Sequence, residues 1–297
     1  MTPSPEPASP AARLRALLGA GRLIVMPCCF DALSARMVEA AGFPLTFMSG
    51  FAVAAARLAL PDTGLISYGE MLDQGRTICD AVDIPVIGDG DTGYGNALNV
   101  KRTVRGYARA GFAAVMIEDQ RAPKRCGHTA GKEVVGRPEA LARIRAAVDA
   151  REELRGQGGD ILILARTDAR ATHGFEEALA RAEAFAAAGA DIHFIEALAK
   201  ESEMTAFCET VAGPKMINLL EGGQTPHLPA ERLEAIGFAV AAYPLTLLAA
   251  ALGAMRDGLA ALKAGGPPDG LMDFAELRRL VGFEAYDREA ARYADDG

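Results

Sequence analysis

PVIGDGDTGYGNALNVKRTVRGYARAGFAAVMIED, residues 85–119, reads as one strand, one helix and a second strand. The run at 85–91 is short, apolar and unbroken, and it ends in two aspartates. Residues 96–110 carry the helical period, Gly111 stands where that helix must stop, and a second apolar run follows at 114–119. Strands apolar on both faces belong to parallel sheets covered by helices. Outward from this unit the alternation continues. Strands are predicted at 23–28, 45–50, 161–168, 191–197, 215–220 and 239–244. Helices are predicted at 31–41, 68–82, 138–150, 175–188, 201–211, 229–236 and 245–263, with Gly42, Gly189 and Gly237 as further stops. Eight of each over about 250 residues is the arithmetic of an α/β chain closed into a (β/α)8 TIM barrel, with an open doubly wound sheet as the alternative. The proline-rich residues 1–10 read as a flexible tail, 11–266 as the catalytic barrel, and 267–297, after Pro267 and Pro268, as a helical extension.

The chain has 297 residues, with 31 Lys plus Arg against 39 Asp plus Glu and no basic block, which argues against nucleic acid as a partner. Five scattered cysteines, an odd number, read as reduced thiols and point to the cytoplasm. The start lacks a basic signal-peptide region. The most apolar stretch, 238–255, is split by Pro244 and Thr246, so no membrane span is expected.

In a barrel, chemistry gathers at the carboxyl ends of the strands. The third predicted strand ends in Gly88, Asp89, Gly90, Asp91 and Gly93, a literal G-x-G-x-x-G, but the two charges would oppose a pyrophosphate. A calcium loop fails because its twelfth position is Val100. Residues i and i+2 of a strand share a face, so Asp89 and Asp91 are expected side by side, with Glu118 of the next strand in reach. Three converging acids predict a site for Mg2+, with Mn2+ possible, because all-oxygen ligands suit hard cations. The competing reading makes Asp89 and Asp91 helix caps and pairs Glu118 with an arginine. Asp119, beside it, is expected to be structural.

After the fourth strand, PKRCGHTAGK (123–132) sets Cys126 among Lys124, Arg125, His128 and Lys132. Cationic neighbours favour a thiol able to give and recover a proton. Cys28, Cys29, His173, His193 and His227 read as packing or surface residues. The fifth strand presents Arg166 and Asp168, the former suited to clamp a carboxylate, or else simply paired to the latter. Glu196, Asn218, Ser49 and Gly50 also fall at strand ends, the last two offering a hydroxyl and a backbone N–H to an anion.

Lys124 to His128, K-R-C-G-H, resembles the signature loop of the isocitrate lyase and phosphoenolpyruvate mutase superfamily. The resemblance extends through Ser49-Gly50, LPDTG (60–64), the D-x-D strand, IEDQ (117–120), ARTDA (165–169) and NLLEGGQTP (218–226), over roughly residues 20–265. It implies a barrel whose last helix is exchanged between subunits, a homotetramer, and Mg2+ catalysis under a gating loop. By resemblance Asp89, Asp91 and Glu118 hold the metal with support from Asp62. Ser49, Gly50 and Phe51 form the carboxylate pocket, and Arg166, Glu196 and Asn218 bind substrate. Lys124, Cys126, Gly127 and His128 form the loop.

The loop cysteine and the EGG-x-TP form resemble the carbon-carbon lyases that cleave 2,3-dimethylmalate and related alkyl malates to pyruvate or another 2-oxo acid and a carboxylate. Alternatives within the superfamily are a 2-methylisocitrate lyase, an oxaloacetate hydrolase or decarboxylase, and a carboxyvinyl-carboxyphosphonate phosphorylmutase. A remoter alternative is a barrel that binds carboxylates or senses oxidants without turnover. The expected small-molecule substrate is a dicarboxylate or oxo acid.

Overall fold

The computed structural model describes residues 8–127 and 131–294. The strands are β1 (Ile24–Cys29), β2 (Thr46–Met48), β3 (Val86–Asp89), β4 (Ala114–Glu118), β5 (Leu162–Thr167), β6 (Ile192–Ile195), β7 (Lys215–Asn218) and β8 (Val240–Tyr243). They form a closed barrel in chain order, all neighbours parallel, and β1 closes on β8 through Ile24 opposite Val240. The open-sheet alternative is thereby removed. All eight predicted helices are present, and Gly42, Gly111, Gly189 and Gly237 have φ between 85° and 110°, the left-handed turn that glycine adopts without strain.

The chain divides into two compact units, Met1–Leu247 and Leu248–Gly297. In the first, a buried layer including Met26, Ile87, Leu164, Phe194 and Met216 fills the barrel interior. A helix the sequence reading did not anticipate, Pro10–Leu18, begins on the Ser9 cap and adds Ala11 and Leu14 to that layer beside Ile24, Leu45 and Leu162. Burying one such leucine contributes about 2 kcal/mol, enough to hold a short helix over the amino-terminal ends of the strands. The second unit contains the helices Phe274–Val281 and Phe283–Ala291, neither of which buries a residue.

Another unanticipated helix, Gly50–Leu58, starts immediately after β2, which is only three residues long. Ser49 is its cap, accepting a hydrogen bond from the Ala52 N–H. The mouth of the barrel thus gains a helix amino terminus where the sequence pattern reads as strand.

His193 on β6 is buried beside Lys215 on β7, and among the described residues its Nδ1 has no hydrogen-bond partner. Burial, reinforced by that ammonium, lowers its pKa to about 4. The neutral ring is the folded form, so its stabilisation is complete above the unfolded value of about 6.5 and is lost as pH falls through about 4. His193→Gln should remove up to about 3 kcal/mol of pH-dependent stability from that window. Urea midpoints at pH 4 to 7 check this: equal pH slopes in the two proteins would show that the ring does not titrate with folding.

Candidate active site

The carboxyl ends of the strands line a partly open cleft. Ser49, Phe51, Asp62, Asp89, Lys124, Cys126, Gly127, Arg166, Glu196 and Asn218 line it. Gly50, Asp91 and Glu118 stand immediately behind that lining, each linked to it by a direct contact. His128 lies outside the described residues.

Asp89 and Asp91 do not share a strand face as the i, i+2 reading anticipates. β3 ends at Asp89, and the chain turns through Gly90 into Asp91, whose φ of 47° is left-handed. Pairing with β4 nevertheless continues, since Gly90 N–H donates to Met116 O and Glu118 N–H donates to Asp91 O, both at 2.9 Å. The turn requires glycine at 90, because a Cβ there would lie 2.6 Å from Met116 O. The glycines that mimic a dinucleotide fingerprint therefore serve backbone packing. Asp89 is fixed from both sides: Tyr107 donates its hydroxyl to the Asp89 carbonyl at 2.7 Å, and Gly50 N–H donates to the carboxylate at 3.2 Å. That second bond occupies the Gly50 N–H, which the sequence reading offered to an incoming anion.

Lys124 is not a cation facing the thiol. Its Nζ is buried 2.5 Å from Asp62 and 2.7 Å from Asp91. Burial opposes its charge, but Asp91, Asp89 and Asp62 outweigh that and push its pKa well up. Lys132 is likewise turned away, onto Gly127 O and, at 3.2 Å, Asp168. Two of the four basic groups around Cys126 are thus spent on internal partners, so the electropositive setting expected there is reduced.

Arg166 sits beside Glu118 across the β4–β5 register, over the Phe194 ring. Its guanidinium meets Asp168 at 2.8 and 3.1 Å, Glu196 at 3.0 Å and Glu118 at 3.3 Å. The simple Arg166–Asp168 pair is therefore present and is one edge of a larger network. Asn218 donates to Glu196 at 3.3 Å. Asp119 is structural, as expected: it accepts from Thr167 Oγ1 at 2.6 Å, Asp168 N at 2.9 Å and Arg181 at 3.0 Å.

Among the described buried residues, six site carboxylates (Asp62, Asp89, Asp91, Glu118, Asp168 and Glu196) face three cations, Lys124, Lys132 and Arg166. Burial, then Asp91, raises the pKa of Asp89. Burial raises that of Glu118, aided by Asp168 and Asp89 against the opposing Arg166. Among the described residues, one buried oxygen each of Asp62, Asp91 and Glu118 has no hydrogen-bond partner, although Lys124 Nζ stands close to the first two. This oxygen-rich, under-neutralised set fits a hard divalent cation. Among the described residues no group of three or more His, Cys, Asp or Glu side chains is already arranged to hold a metal ion by itself, so the convergence of three acids expected from the sequence is incomplete. Mg2+ does not need such a group, because it commonly takes one or two carboxylates and keeps several waters.

The remaining wall is apolar, formed by Phe47, Phe51, Met116, Met216, Leu220, Pro244 and Leu245. The sequence reading assigned no role to most of these; their only signal is position at the ends of strands. Cys28, read as inert, also lines the cleft, whereas Cys29 is fully buried and its thiol is pushed up to about 12 by burial.

A closed parallel barrel carrying a carboxylate cluster, an arginine hub and a cysteine loop at its carboxyl-terminal mouth defines a TIM-barrel enzyme site for small acids. The chain belongs to the phosphoenolpyruvate phosphomutase family, whose model matches residues 14–263. It is 42% identical over 288 residues to 2,3-dimethylmalate lyase of Eubacterium barkeri, covering 96% of this chain and 98% of that one. An oxaloacetate acetylhydrolase solved with the inhibitor 3,3-difluorooxalacetate superposes with a TM-score of 0.91 at 35% identity, over 97% of this chain and 99% of the other. A phosphonopyruvate hydrolase solved with oxalate and Mg2+ gives a TM-score of 0.84 at 31% identity, over 96% and 99%.

Proposed function

We propose that this protein is a divalent-metal-dependent carbon-carbon lyase that cleaves 2,3-dimethylmalate or a related alkyl malate into a 2-oxo acid and a carboxylate. One observation carries the reading: a single cleft has a charged wall around Asp89 and Arg166, an apolar wall around Phe51, Leu220 and Leu245, and Cys126 on its lining. Charged groups suit the two carboxylates and the hydroxyl, and the apolar wall suits alkyl substituents. The 42% identity to a 2,3-dimethylmalate lyase supports the same substrate class.

Asp89, Asp91 and Glu118, with Asp62 behind them, would hold Mg2+ or Mn2+. When bound, the ion supplies positive charge to the oxygens on which negative charge grows during cleavage. Ser49 uses its oxygen as the cap acceptor and keeps its O–H for a substrate carboxylate, and the neighbouring Phe51 N–H belongs to the unpaired first turn of its helix. Arg166, aligned by Asp168 and Glu196, takes the second carboxylate with Asn218. As the bond between C2 and C3 breaks, its electron pair passes to C3, next to a carboxylate. Cys126 protonates that carbon and is left as a thiolate, which is reprotonated at the expense of the proton released by the C2 hydroxyl, so no net proton is gained or lost. Gly127 is obligatory in the loop, since a Cβ there would lie 2.4 Å from Arg166 Nη2. Lys124 holds the loop to Asp62 and Asp91.

The same reading takes the chain as a homotetramer, with residues 267–297 packed on a second copy. Support comes from the second unit, where Leu259, Phe274 and Tyr286 are 68%, 74% and 72% exposed. Its setting is cytoplasmic, in keeping with five cysteines outside any disulfide, and among the described residues no helix is long and apolar enough to cross a membrane.

A substrate panel tests the proposal. Purified protein with Mg2+ is given alkyl malates, 2-methylisocitrate, oxaloacetate and a carboxyphosphonate, with 2-oxo acid release coupled to a dehydrogenase and phosphorus followed by NMR. An alkyl malate should give the highest kcat/KM. Faster cleavage of oxaloacetate to oxalate, or phosphorus-carbon bond formation, would overturn the assignment.

A further inference from the structure

Two side chains that are absent from the cleft lining grip the backbone on either side of Cys126. Gln120, buried after β4, makes a two-way clasp with Arg125: its Nε2 donates to Arg125 O and its Oε1 accepts from Arg125 N–H, each at 2.9 Å. Its own backbone is fixed in turn by the buried Arg143, which donates to Gln120 O at 2.7 Å. On the other side, Lys132 donates to Gly127 O and to Asp168, whose N–H is tied to Asp119. The residue between these clasps is Cys126.

We infer that Gln120 and Lys132 are positioning residues that hold the Cys126 thiol at its working place in the cleft. The inference rests on the assignment of Cys126 as proton donor. Lys124 ties the start of the loop to Asp62 and Asp91, and each backbone residue left free beyond it would cost about 1 to 2 kcal/mol to order. Two clasps attached to the barrel wall supply that order. They also explain why Lys132 faces inward: its charge serves the carbonyl of Gly127 rather than the thiol. Neither residue gives or takes a proton from substrate. Their loss acts through distance, and a displacement of about 1 Å at a reacting group can cost about 10²-fold in rate.

Gln120→Leu and Lys132→Met remove each clasp at nearly constant volume, and Lys132→Arg keeps the cation. Turnover of the best alkyl malate is measured together with iodoacetamide alkylation of each cysteine, followed by peptide mass spectrometry. Expected for both neutral variants is a kcat about 10²-fold lower with KM moving far less, and Cys126 alkylation about tenfold faster with Cys79 and Cys208 unchanged. Lys132→Arg should recover part of both. Unchanged kcat and unchanged Cys126 alkylation would overturn the inference, as would faster alkylation of all three cysteines, which marks general loosening. If the wild-type protein releases no 2-oxo acid while Cys126 alone becomes exposed in the variants, the positioning role stands and the lyase assignment falls.

Discussion

Cys126→Ser should bind alkyl malates with nearly unchanged KM and turn them over about 10² to 10⁴ times more slowly, the usual cost of losing a positioned proton donor. Serine keeps the size and the tetrahedral geometry of the side chain, and the backbone on both sides remains held by Gln120 and Lys132. Ser49, Arg166 and Asn218 are untouched, so the ground state loses little. What changes is acidity: a hydroxyl cannot release its proton to a developing carbanion as a thiol can. Steady-state kinetics separate the two effects, because a purely architectural role for Cys126 would raise KM instead. Turnover within a few-fold of wild type would remove the thiol from the reaction.

Stripping divalent ions with EDTA should abolish turnover, and Mg2+ should restore it. The reason is electrostatic. Among the described residues six buried site carboxylates face three cations, and burial with like-charged neighbours raises the pKa of Asp89 and Glu118. Such a pocket repels a dicarboxylate. A divalent ion reverses the sign locally, and Arg166 alone cannot, because Asp168, Glu196 and Glu118 already surround it. Asp89→Ala should mimic chelation and resist rescue by Mg2+ at ordinary concentrations, since Asp89 is the carboxylate of the D-x-D pair that lines the cleft. Activity indifferent to both treatments would contradict the metal assignment.

Much of this architecture is legible in the sequence because a parallel barrel writes itself as unbroken apolar runs, and each of the eight runs contains a strand. Ligand-bearing residues follow from the same rule, since Glu118, Glu196 and Asn218 stand at or next to strand ends. Conformation at the turns is less legible. The left-handed turn at Asp91 depends on carbonyl and amide partners in β4, which strand periodicity does not encode. The helix at Gly50–Leu58 was hidden because an apolar, alanine-rich segment continues a strand pattern as easily as it begins a helix. Charge pairing was misjudged for a similar reason: Lys124 and Lys132 are near Cys126 along the chain, yet their ammonium groups reach carboxylates that only the closed barrel brings near. The apolar wall comes from the ends of four strands, β2, β4, β7 and β8, and the segments that follow them, and has no local motif at all.

The most direct measurement is proton and deuterium NMR of 2,3-dimethylmalate incubated with the Mg2+-loaded protein in D2O. Pyruvate and propionate should appear in equal amounts, with one solvent-derived deuteron on the carbon next to the propionate carboxylate. Failure to form these two products, while oxaloacetate or a carboxyphosphonate is consumed under the same conditions, would contradict carbon-carbon cleavage of an alkyl malate.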